Sequence, residues 1–336
     1  MRTIDFLEQG DGAITLIDQR LLPHERKILT IKTHEELIEA IQTLAVRGAP
    51  ALGVAGALGV ALIALRSQQE NWSQEERDSA IAALRAARPT AVNLAWGVDQ
   101  VLPELVNGPS SVLNSALAIS RADGLANRAM GKLGAEYLLE KCGKKKLRIL
   151  THCNTGSLAT SDWGTALGVI RELSDQGYIE EVFADETRPL LQGSRLTAWE
   201  LSEAGIKYRI LPDGAAASAL FSGLIDAVLI GADRIARNGD SANKIGSLGV
   251  AVAAKERGIP FLVVAPESTI DRSLASGDEI EIEFRADSEV THFAGKAVAP
   301  AGAKSYNPAF DVTLARYITA IVTEKCVYQI SKGEAL

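Results

Sequence analysis

Cysteine is scarce in this sequence, and its three cysteines share no pattern. Cys142, Cys153 and Cys326 are odd in number and far apart, and none belongs to a C-x-x-C pair or to a Cys/His cluster with zinc spacing. We therefore expect no disulfide framework and no metal site. We also expect the protein to work in a reducing compartment, the cytoplasm.

An excess of basic charge is also missing. Lysine and arginine number 35 against 42 aspartates and glutamates, which gives a net charge of −7. Nucleic acids and anionic membranes are bound through basic surfaces, so this balance argues against both as partners. A local basic site for a small phosphate remains compatible with it.

Long hydrophobic runs are few as well. The N-terminus, MRTIDFLEQGDG, lacks the apolar core of a signal peptide. The most apolar run, Ala49 to Leu65, is short and glycine-rich for a membrane span, and nothing similar recurs. This run predicts a buried helix in a globular protein.

Three motifs that mark common enzyme classes are absent. The sequence has no G-x-x-x-x-G-K-[ST], no G-x-G-x-x-G after the first strand of its α/β region, and no G-x-S-x-G. These absences argue against a P-loop nucleotide hydrolase, a standard dinucleotide-binding protein and a typical serine hydrolase.

Two patterns follow each other along the chain. The first part has the strand-like runs AITLID and RKILTIK and then helical periodicity without βαβ alternation, over about 34–46, 74–86, 90–106 and 110–141. After residue 147, apolar runs alternate with helical patterns, which predicts βαβ units and a mainly parallel sheet with helices on both faces. We predict an α/β chain in which a smaller, mostly helical domain with a short antiparallel sheet spans 1–125. A Rossmann-like domain spans 126–336.

The five predicted strands of the second part each end in side chains capable of chemistry. In open α/β sheets the ligand crevice lies outside the carboxyl ends of the strands, so this coincidence predicts a site there. The polar residues at these ends are His152 and Cys153; Asp185, Glu186 and Arg188; Asp213; Asp233 and Arg234; and Glu267.

Cys153 lies in ILTHCNTGSLAT, between a strand end and a predicted helix start. A helix N-terminus can lower the pKa of a thiol and make a usable thiolate. The alternative is a small buried hydrophobic residue, which is the more frequent role of a lone cysteine. The adjacent His152 either tunes the thiol or packs, and alternation along the strand favours packing.

Asp233 follows the apolar run VLIGA. A carboxyl group held there would be partly desolvated, which raises its pKa and lets it carry a proton near neutrality. The alternative is an ion pair with Arg234. Asn243 and Lys244 precede the next helical run, where an amide and an ammonium can hold a hydroxyl or a phosphate. Their alternative is an Asx turn with an exposed lysine.

Two arginines precede helical runs and are candidates for binding an anion. Arg47, Gly48 and Ala49 stand before Pro50, where free backbone N–H groups and a guanidinium make an anion site. Arg88 precedes Pro89 in the same way. The alternative for both arginines is an exposed surface position. Gln192, after TRPLL, could hydrogen-bond a polyol, but alone it carries almost no weight.

Six segments, in order along nearly the whole chain, resemble one family. They are TLAVRGAPALG (43–53), RPTAVNLAWG (88–97), ILTHCNTGSLAT (149–160), DETRPLLQGSRLTAWEL (185–201), GADRIARNGDSANKIGS (231–247) and YNPAFDVT (306–313). Together they resemble the methylthioribose-1-phosphate isomerases of methionine salvage. Relatives of that fold include ribose-1,5-bisphosphate isomerases and the regulatory subunits of the exchange factor for translation initiation factor two.

The resemblance implies the conversion of 5-methylthioribose 1-phosphate to 5-methylthioribulose 1-phosphate, without cofactor or metal, commonly by a homodimer. It implies that the catalytic pair is Cys153, as base or transition-state stabiliser, and Asp233, as proton donor. The phosphate and substrate contacts that it implies are Arg47, Gly48, Ala49, Arg88, Gln192, Asn243 and Lys244.

One segment departs from the family pattern. After the third strand of the second part, the resemblance predicts an Asn-Met pair following Asp213, and this chain has Gly214 and Ala215 in LPDGAAASAL. The loss of two larger side chains on the crevice rim predicts looser substrate choice. The rival functions are isomerisation of a related sugar phosphate, 5-deoxyribose 1-phosphate or ribose 1,5-bisphosphate, or a non-catalytic regulatory subunit like those of the exchange factor.

Overall fold

The computed structural model describes residues 2–8, 10–89, 91–143 and 145–336, which form two compact units. The first unit comprises Met1–Arg128 and Thr155–Gly164, and the second comprises Ala129–Asn154 and Thr165–Leu336. The predicted boundary at residue 125 falls inside one continuous helix. A helix that runs on past the boundary carries no loop signal, and the return of the short segment 155–164 to the first unit depends on tertiary contacts that periodicity does not report.

The first unit combines a small antiparallel sheet, ordered β1–β2–β3, with a group of helices. Thr90, the predicted first residue of the fourth helix, lies outside the described residues. The elements are β1 (Ile4–Leu7), β2 (Ala13–Ile17), β3 (Ile28–Ile31), α1 (His34–Gln42), α2 (Ala49–Gln69), α3 (Gln74–Arg85), α4 (Val92–Val101) and the first part of α5 (Pro109–Cys142).

Local sequence signals explain where these helices begin. Thr33 with Glu36 and Ser73 with Glu76 form capping boxes at α1 and α3. In each pair, each side chain accepts a hydrogen bond from the backbone N–H of the other residue. Helix α2 begins after Gly48, whose φ is 98°, and has proline in its first turn. No side-chain hydrogen bond caps α2 among the described residues.

Helix α2 is the centre of the first unit. It is long and apolar enough to cross a membrane, yet 78% of its most apolar window is buried inside the protein. Every residue from Ala51 to Ala64 is buried, and the helix packs against α4 and the small sheet. This burial confirms the prediction of a buried helix. A helix that is apolar on all sides needs neighbours on all sides.

The second unit contains a seven-stranded sheet and a smaller four-stranded sheet. Its elements, after the end of α5, are β4 (Leu147–Thr151), α6 (Ala166–Asp175), β5 (Ile179–Asp185), α7 (Ala198–Glu203), β6 (Tyr208–Leu211), α8 (Ala216–Phe221), β7 (Ala227–Ile230), β8 (Arg234–Ala236), β9 (Ser241–Lys244), α9 (Ser247–Glu256), β10 (Phe261–Val264), β11 (Ile270–Asp271), α10 (Ser288–Thr291), β12 (His292–Phe293), β13 (Lys296–Ala297), β14 (Phe310–Thr313), β15 (Ala320–Val322) and β16 (Val327–Tyr328).

The large sheet has the order β16–β15–β10–β7–β4–β5–β6 and is parallel except for β16. Alternate residues of one strand enter two separate cores: Ile149 packs among residues of α5 and α6, while Leu150 packs among residues of α8 and α9. Both faces of the sheet are therefore covered by helices, as the alternation of apolar runs and helical patterns predicts.

The four-stranded sheet of the second unit, β11–β8–β9–β14, is not predicted by the sequence. The sequence predicts a glycine-rich loop, RNGDSANKIG (237–246), that leads into a helix. Instead β8 and β9 form antiparallel strands, and β9 also pairs with β14. These strands are three and four residues long. A strand so short and polar carries no readable alternation, and its pairing with β14 joins segments distant in sequence.

Candidate active site

The topological switch point of the large sheet lies at β4. The chain passes from β4 to β5 and β6 on one side and then returns to β7 on the other side of β4. Ligands bind in α/β sheets outside the carboxyl ends of the strands at such a point. Cys153 follows β4 and Asp233 follows β7, and the two strands are in parallel register with Thr151 opposite Leu229. The sheet order thus places the predicted thiol and carboxyl groups after the carboxyl ends of two adjacent strands.

The backbone of Cys153 is locked in an unusual conformation. Its φ is 64°, in the left-handed region that residues other than glycine rarely adopt. Its N–H donates to Thr187 Oγ1 at 2.9 Å, and its carbonyl oxygen accepts from Thr197 Oγ1 at 2.6 Å. Strained backbones held by their surroundings cluster at functional sites, so this geometry supports a chemical role for Cys153.

One argument for Cys153 is wrong. The sequence predicts a helix start beside the thiol, but only a three-residue 3-10 turn, Ser157–Ala159, follows closely. The next α-helix, α6, begins at Ala166. The small polar residues after Cys153 resemble a helix cap but form an irregular segment, so a helix dipole does not act on the thiol as predicted.

Asn154 is anchored directly beyond Cys153. Its Nδ2 donates to Glu200 Oε1 at 2.9 Å, and Glu200 Oε2 accepts from Arg171 at 2.9 Å. Glu200 is buried, and a buried carboxylate is stable only when paired in this way. Sequence reasoning missed Glu200, because an acidic residue in a short helix is usually exposed.

Asp233 is half-buried and lies between β7 and β8. Its backbone N–H donates to the carbonyl oxygen of Ala242, which joins it to β9. The neighbouring Arg234 forms its ion pair with Asp271, at 3.2 Å. Burial lowers the pKa of Arg234, and the charges of Asp271 and Asp233 oppose that effect.

Asn243 and Lys244 lie on β9 and are both buried, so the alternative of an Asx turn with an exposed lysine is wrong. Asn243 Nδ2 donates to Ser247 Oγ at 2.8 Å. Lys244 Nζ lies 5.1 Å from the ring centroid of Phe310 on β14. Strand pairing with β14 buries the ammonium, which explains why a surface interpretation of the loop failed.

Gln192 offers a buried acceptor that lacks a donor. The side chain is 5% exposed, and its Oε1 has no hydrogen-bond partner among the residues that the structure describes. The turn before it is held by Asp213, whose carboxylate accepts from the N–H groups of Thr187 and Arg188 at 2.7 Å each. An unpaired buried acceptor costs free energy, so this atom is suited to a ligand hydroxyl. The predicted polyol contact thus gains a physical reason that the sequence alone did not supply.

His152, Asp185 and Asp213 form a cluster whose potential ligand atoms all lie within 4.8 Å of one another. His152 Nδ1 lies 2.9 Å from Asp185 Oδ2, and Nε2 lies 2.8 Å from the carbonyl oxygen of Ile245. Both ring nitrogens are therefore engaged in hydrogen bonds, and Asp213 accepts two backbone N–H groups. Hydrogen bonding therefore accounts for the closeness of these side chains.

The electrostatics of this cluster favour a proton on His152. Burial pushes the pKa of His152 down, but the hydrogen bond to Asp185 and the charges of Asp185 and Asp213 outweigh burial and raise it above its ordinary value. Asp311, on β14, is a further carboxyl group near the ring. Burial raises the pKa of Asp311, and the N–H groups of Gly246 and Leu248 partly offset that.

The first unit carries the predicted anion-binding residues Arg47, Gly48, Ala49 and Arg88. Gly48 and Ala49 lie at the start of α2, and both arginines are half-buried. A Cβ on Gly48 would lie 2.4 Å from the carbonyl oxygen of Ala159. The start of α2 therefore packs tightly on the segment 155–164, which follows Cys153 and Asn154 directly in the chain.

Asp123 fixes that same segment and was missed by sequence reasoning. Its Oδ2 accepts from Ser161 N at 2.7 Å, from Ser161 Oγ at 2.6 Å and from Asn127 Nδ2 at 3.1 Å. Burial raises the pKa of Asp123, although the Ser161 hydrogen bonds oppose it. An aspartate inside the long helix α5 gives no sequence signal for this role, because helix periodicity does not identify its partner.

Comparison with known proteins places these features in a family. The model of the initiation factor 2 subunit family matches residues 45–329. A probable bifunctional methylthioribose-1-phosphate isomerase/methylthioribulose-1-phosphate dehydratase of Nocardia farcinica is 53% identical over 96% of this chain. This chain spans 59% of that longer protein.

Relatives of similar length carry single-activity names. A methylthioribose-1-phosphate isomerase of Acetivibrio thermocellus is 46% identical, over 95% of each chain. A 5-deoxyribose 1-phosphate isomerase of Moorella thermoacetica is 48% identical, over 94% of this chain and 92% of its own.

Two solved structures resemble the whole chain. The 5-methylthioribose 1-phosphate isomerase of Pyrococcus horikoshii has a TM-score of 0.88 and 41% identity, over 98% of this chain and 92% of that one. A protein from A. fulgidus named translation initiation factor eIF-2B, subunit delta, has a TM-score of 0.84 and 40% identity, over 98% of this chain and 96% of that one.

Proposed function

Since this chain belongs to the initiation factor 2 subunit family, we propose that it is an aldose–ketose isomerase that converts 5-methylthioribose 1-phosphate to 5-methylthioribulose 1-phosphate in methionine salvage. The observation that carries the proposal is the placement of Cys153 and Asp233 after the two strands at the switch point of the sheet. The names of relatives 46% and 53% identical, and of the Pyrococcus structure, support the same activity.

The chemistry of the substrate sets what the site must supply. The anomeric C1 carries a phosphate ester, so the furanose ring cannot open as a free hemiacetal. Opening requires a proton on the ring oxygen, and breaking the bond from C1 to that oxygen leaves positive charge at C1. One hydrogen then moves from C2 to C1, either as a proton through an enediol-type intermediate or as a hydride. C2 is oxidised and C1 is reduced within one molecule, so the reaction requires no external oxidant.

We assign Asp233 as the donor of the proton to the ring oxygen. As C2 becomes a carbonyl, its hydroxyl loses a proton, and Asp233 accepts that proton and is restored to its starting state. Cys153 then either removes the C2 proton or stabilises the transition state. Asp233 is half-buried just after the carboxyl end of β7, a position suited to proton transfer. A positioned acid or base typically raises the rate of such reactions about 10²–10⁴-fold.

The remaining predicted residues bind and orient the substrate in this proposal. Arg47, Arg88 and the backbone N–H groups of Gly48 and Ala49 bind the phosphate, because a helix start and a guanidinium both favour an anion. A second group of polar side chains holds the sugar hydroxyls: Gln192, Asn243 and Lys244. Their burial supports this role, since fixed groups lose little freedom on binding.

Phosphorus NMR of the purified protein with 5-methylthioribose 1-phosphate tests the function. We expect the anomeric-phosphate signal to convert to that of a primary phosphate ester without added cofactor, and we expect Cys153→Ser and Asp233→Asn to stop the conversion. An unchanged signal with wild-type protein, while ribose 1,5-bisphosphate reacts, would move the proposal to that substrate.

A second candidate function is a non-catalytic regulatory subunit. The observation that favours it is the likeness to the A. fulgidus protein, which is named as the delta subunit of translation initiation factor eIF-2B. A regulatory subunit does not require the combination of Cys153, Asp233, Arg47 and Arg88. If the protein converts none of the sugar phosphates, a search for a protein partner becomes the next experiment.

The turn after β6 predicts the substrate preference. Asp213–Ala215 forms a short 3-10 turn there, and β6 lies two strands from β4, about 10 Å away. A Cβ at Gly214 meets no described heavy atom within 4 Å, so larger side chains fit. We expect Gly214→Asn with Ala215→Met to raise the ratio of kcat/KM for the methylthio substrate over the 5-deoxy substrate about tenfold. An unchanged ratio in competition assays would show that this turn does not contact the 5-position.

Replacing Gln192 should affect the free energy of unfolding and the binding of substrate differently. Because its buried Oε1 lacks a donor, Gln192→Met should leave the free energy of unfolding unchanged or raise it by about 1 kcal/mol. The same change should raise KM about tenfold, because a substrate hydroxyl loses its acceptor. Urea unfolding and initial-rate kinetics check both parts, and a large loss of stability would show that the oxygen already has a partner in the free protein.

We also propose that the protein is a cytoplasmic homodimer, as the family resemblance implies. Light scattering after gel filtration measures the mass of the assembly against the 35.7 kDa chain.

A further inference from the structure

His152 is a buried titratable residue that the proposed chemistry does not use. It stands between the last residue of β4 and Cys153 and is 1% exposed. Its ring reaches two acceptors on other elements: the carboxylate of Asp185 at the end of β5, and the carbonyl oxygen of Ile245 directly after β9. A ring that only filled space would not need two polar partners.

Both ring nitrogens of His152 are placed to donate. A backbone carbonyl only accepts, so Nε2 carries a proton. Asp185 is 1% exposed, and its Oδ1 has no donor among the described residues, so the Nδ1 contact is what compensates its buried charge. Beside an ionised Asp185, a neutral imidazole with its one N–H would leave one of the two contacts without a proton.

Three carboxyl groups face the ring from three elements. Asp185 belongs to β5, Asp213 to the turn after β6, and Asp311 to β14. Transfer of the proton from His152 to Asp185 would leave a neutral ring among the other two carboxylates. Burial raises the pKa of Asp185, whereas its hydrogen bond to His152 and the charge of that ring oppose the rise. The two contacts of the ring and the carboxyl groups around it favour the imidazolium with an ionised Asp185.

The acceptors of His152 belong to elements that carry the proposed site. The backbone oxygen of Asp185 accepts from Thr187 Oγ1 at 3.0 Å, and Thr187 Oγ1 in turn accepts from the N–H of Cys153. Ile245 follows Asn243 and Lys244 in the chain. On the third side stands Gly246, with φ 110°, where a Cβ would lie 2.8 Å from His152 Cε1. The ring therefore has one permitted position.

We propose that His152 is a positioning residue of the isomerase reaction: its doubly protonated imidazole fixes the end of β4, which carries Cys153, to the end of β9, which carries Asn243 and Lys244. The second proton on the ring also gives His152, the residue directly before Cys153, a buried positive charge. This inference rests on the proposed function for its catalytic part, whereas the protonation state can be measured independently of any activity.

Nitrogen-15 NMR of histidine-labelled protein tests the protonation state. The chain has four histidines, so the signals of His152 must be assigned first. We expect both N–H groups of His152 to be visible at pH 7.5 with imidazolium shifts, after assignment by loss of the signals in His152→Gln. A single N–H on His152 at pH 7.5 would overturn the proposal.

The pH dependence has a defined sign. Because the folded-state pKa of His152 is raised, the stabilisation from its proton is present below the unfolded pKa, about 6.5, and is lost as pH rises through the folded pKa. We expect the difference in melting temperature between wild type and His152→Gln to shrink as pH rises through the folded pKa of His152. The kcat of the wild type should fall along the same titration, and the variant should lack this limb.

The kinetic test uses two shape-conserving variants. His152→Gln keeps a donor toward Ile245 and His152→Asn keeps one toward Asp185, and we expect each to lower kcat at least tenfold at pH 7.5. A kcat within twofold of wild type in either folded variant would contradict the positioning role. If one variant fails to fold, the other variant and the NMR titration of wild-type protein still test the positioning role and the protonation state of His152. Wild-type protein that shows the imidazolium but converts no sugar phosphate would refute the proposed function alone.

Discussion

Asp233→Asn should lower kcat at least 100-fold while KM for 5-methylthioribose 1-phosphate changes less than threefold. A 100-fold loss corresponds to about 2.7 kcal/mol of transition-state stabilisation. The amide keeps the shape of the side chain and removes the proton that the ring oxygen requires. The backbone N–H of Asp233, which donates to Ala242, is unaffected, so β7 and β9 should keep their positions.

The matched control for this variant is Asp271→Asn. It removes the same charge from the strand next to β8, where Asp271 pairs with Arg234 at 3.2 Å. Asp271 has no assigned role in the reaction, so its variant should keep kcat within about threefold. Stopped-assay kinetics with both variants separate a specific proton transfer from a general change in charge. Near-normal kcat in Asp233→Asn would remove Asp233 from the mechanism.

The large sheet was predictable because its signals are local. LRILTH, EEVFADE and DAVLIGAD are the apolar runs that predict strands, and each covers most or all of an observed strand. The polar residues after these strands then follow from one rule about carboxyl ends, which is why Cys153 and Asp233 could be found from the sequence.

The four-stranded sheet of the second unit and the contacts around the site were not predictable in this way. Asn243 lies on a strand that pairs with β14, where its partner Asp311 is 68 residues later in the chain. The partners of His152, Asp185 and the carbonyl of Ile245, lie 33 and 93 residues away in sequence. Such pairs have no periodicity that a single sequence can show, so a residue such as His152 is interpreted as packing.

The same distinction explains the mixed outcome for Cys153. The strand before it is a local feature and was predicted correctly. The helix after it was inferred from small polar residues that in fact form an irregular segment belonging to the first unit. What replaces the helix is a left-handed backbone held by Thr187 and Thr197, which only the folded chain can supply.

Gly193→Ala should have the largest effect of any single methyl group added at the site. An ideal Cβ at this position would lie 1.6 Å from the backbone oxygen of Asp185 and 3.0 Å from Thr187 Oγ1. Neither the end of β5 nor the turn that bears Gln192 can keep its position, because the obstructing atom is backbone. We expect the free energy of unfolding to fall by about 1–3 kcal/mol, as for other overpacked sites.

Activity should fall further than stability in this variant. Displacing the end of β5 moves Asp185, the acceptor of His152, and Thr187, which holds the backbone of Cys153. We therefore expect kcat/KM to fall at least 100-fold at a temperature where the variant is fully folded, since small misplacements of reacting groups are costly.

Gly249→Ala is the control for this added methyl group. A Cβ at Gly249 meets no described heavy atom within 4 Å, and the residue lies in helix α9, so alanine should raise stability by up to about 1 kcal/mol. Circular dichroism melting and initial rates measure both variants. A Gly193→Ala protein with wild-type rates would show that the end of β5 can shift without cost to the site. The supporting contacts of Cys153 would then have to lie elsewhere than in the loop from Asp185 to Gln192.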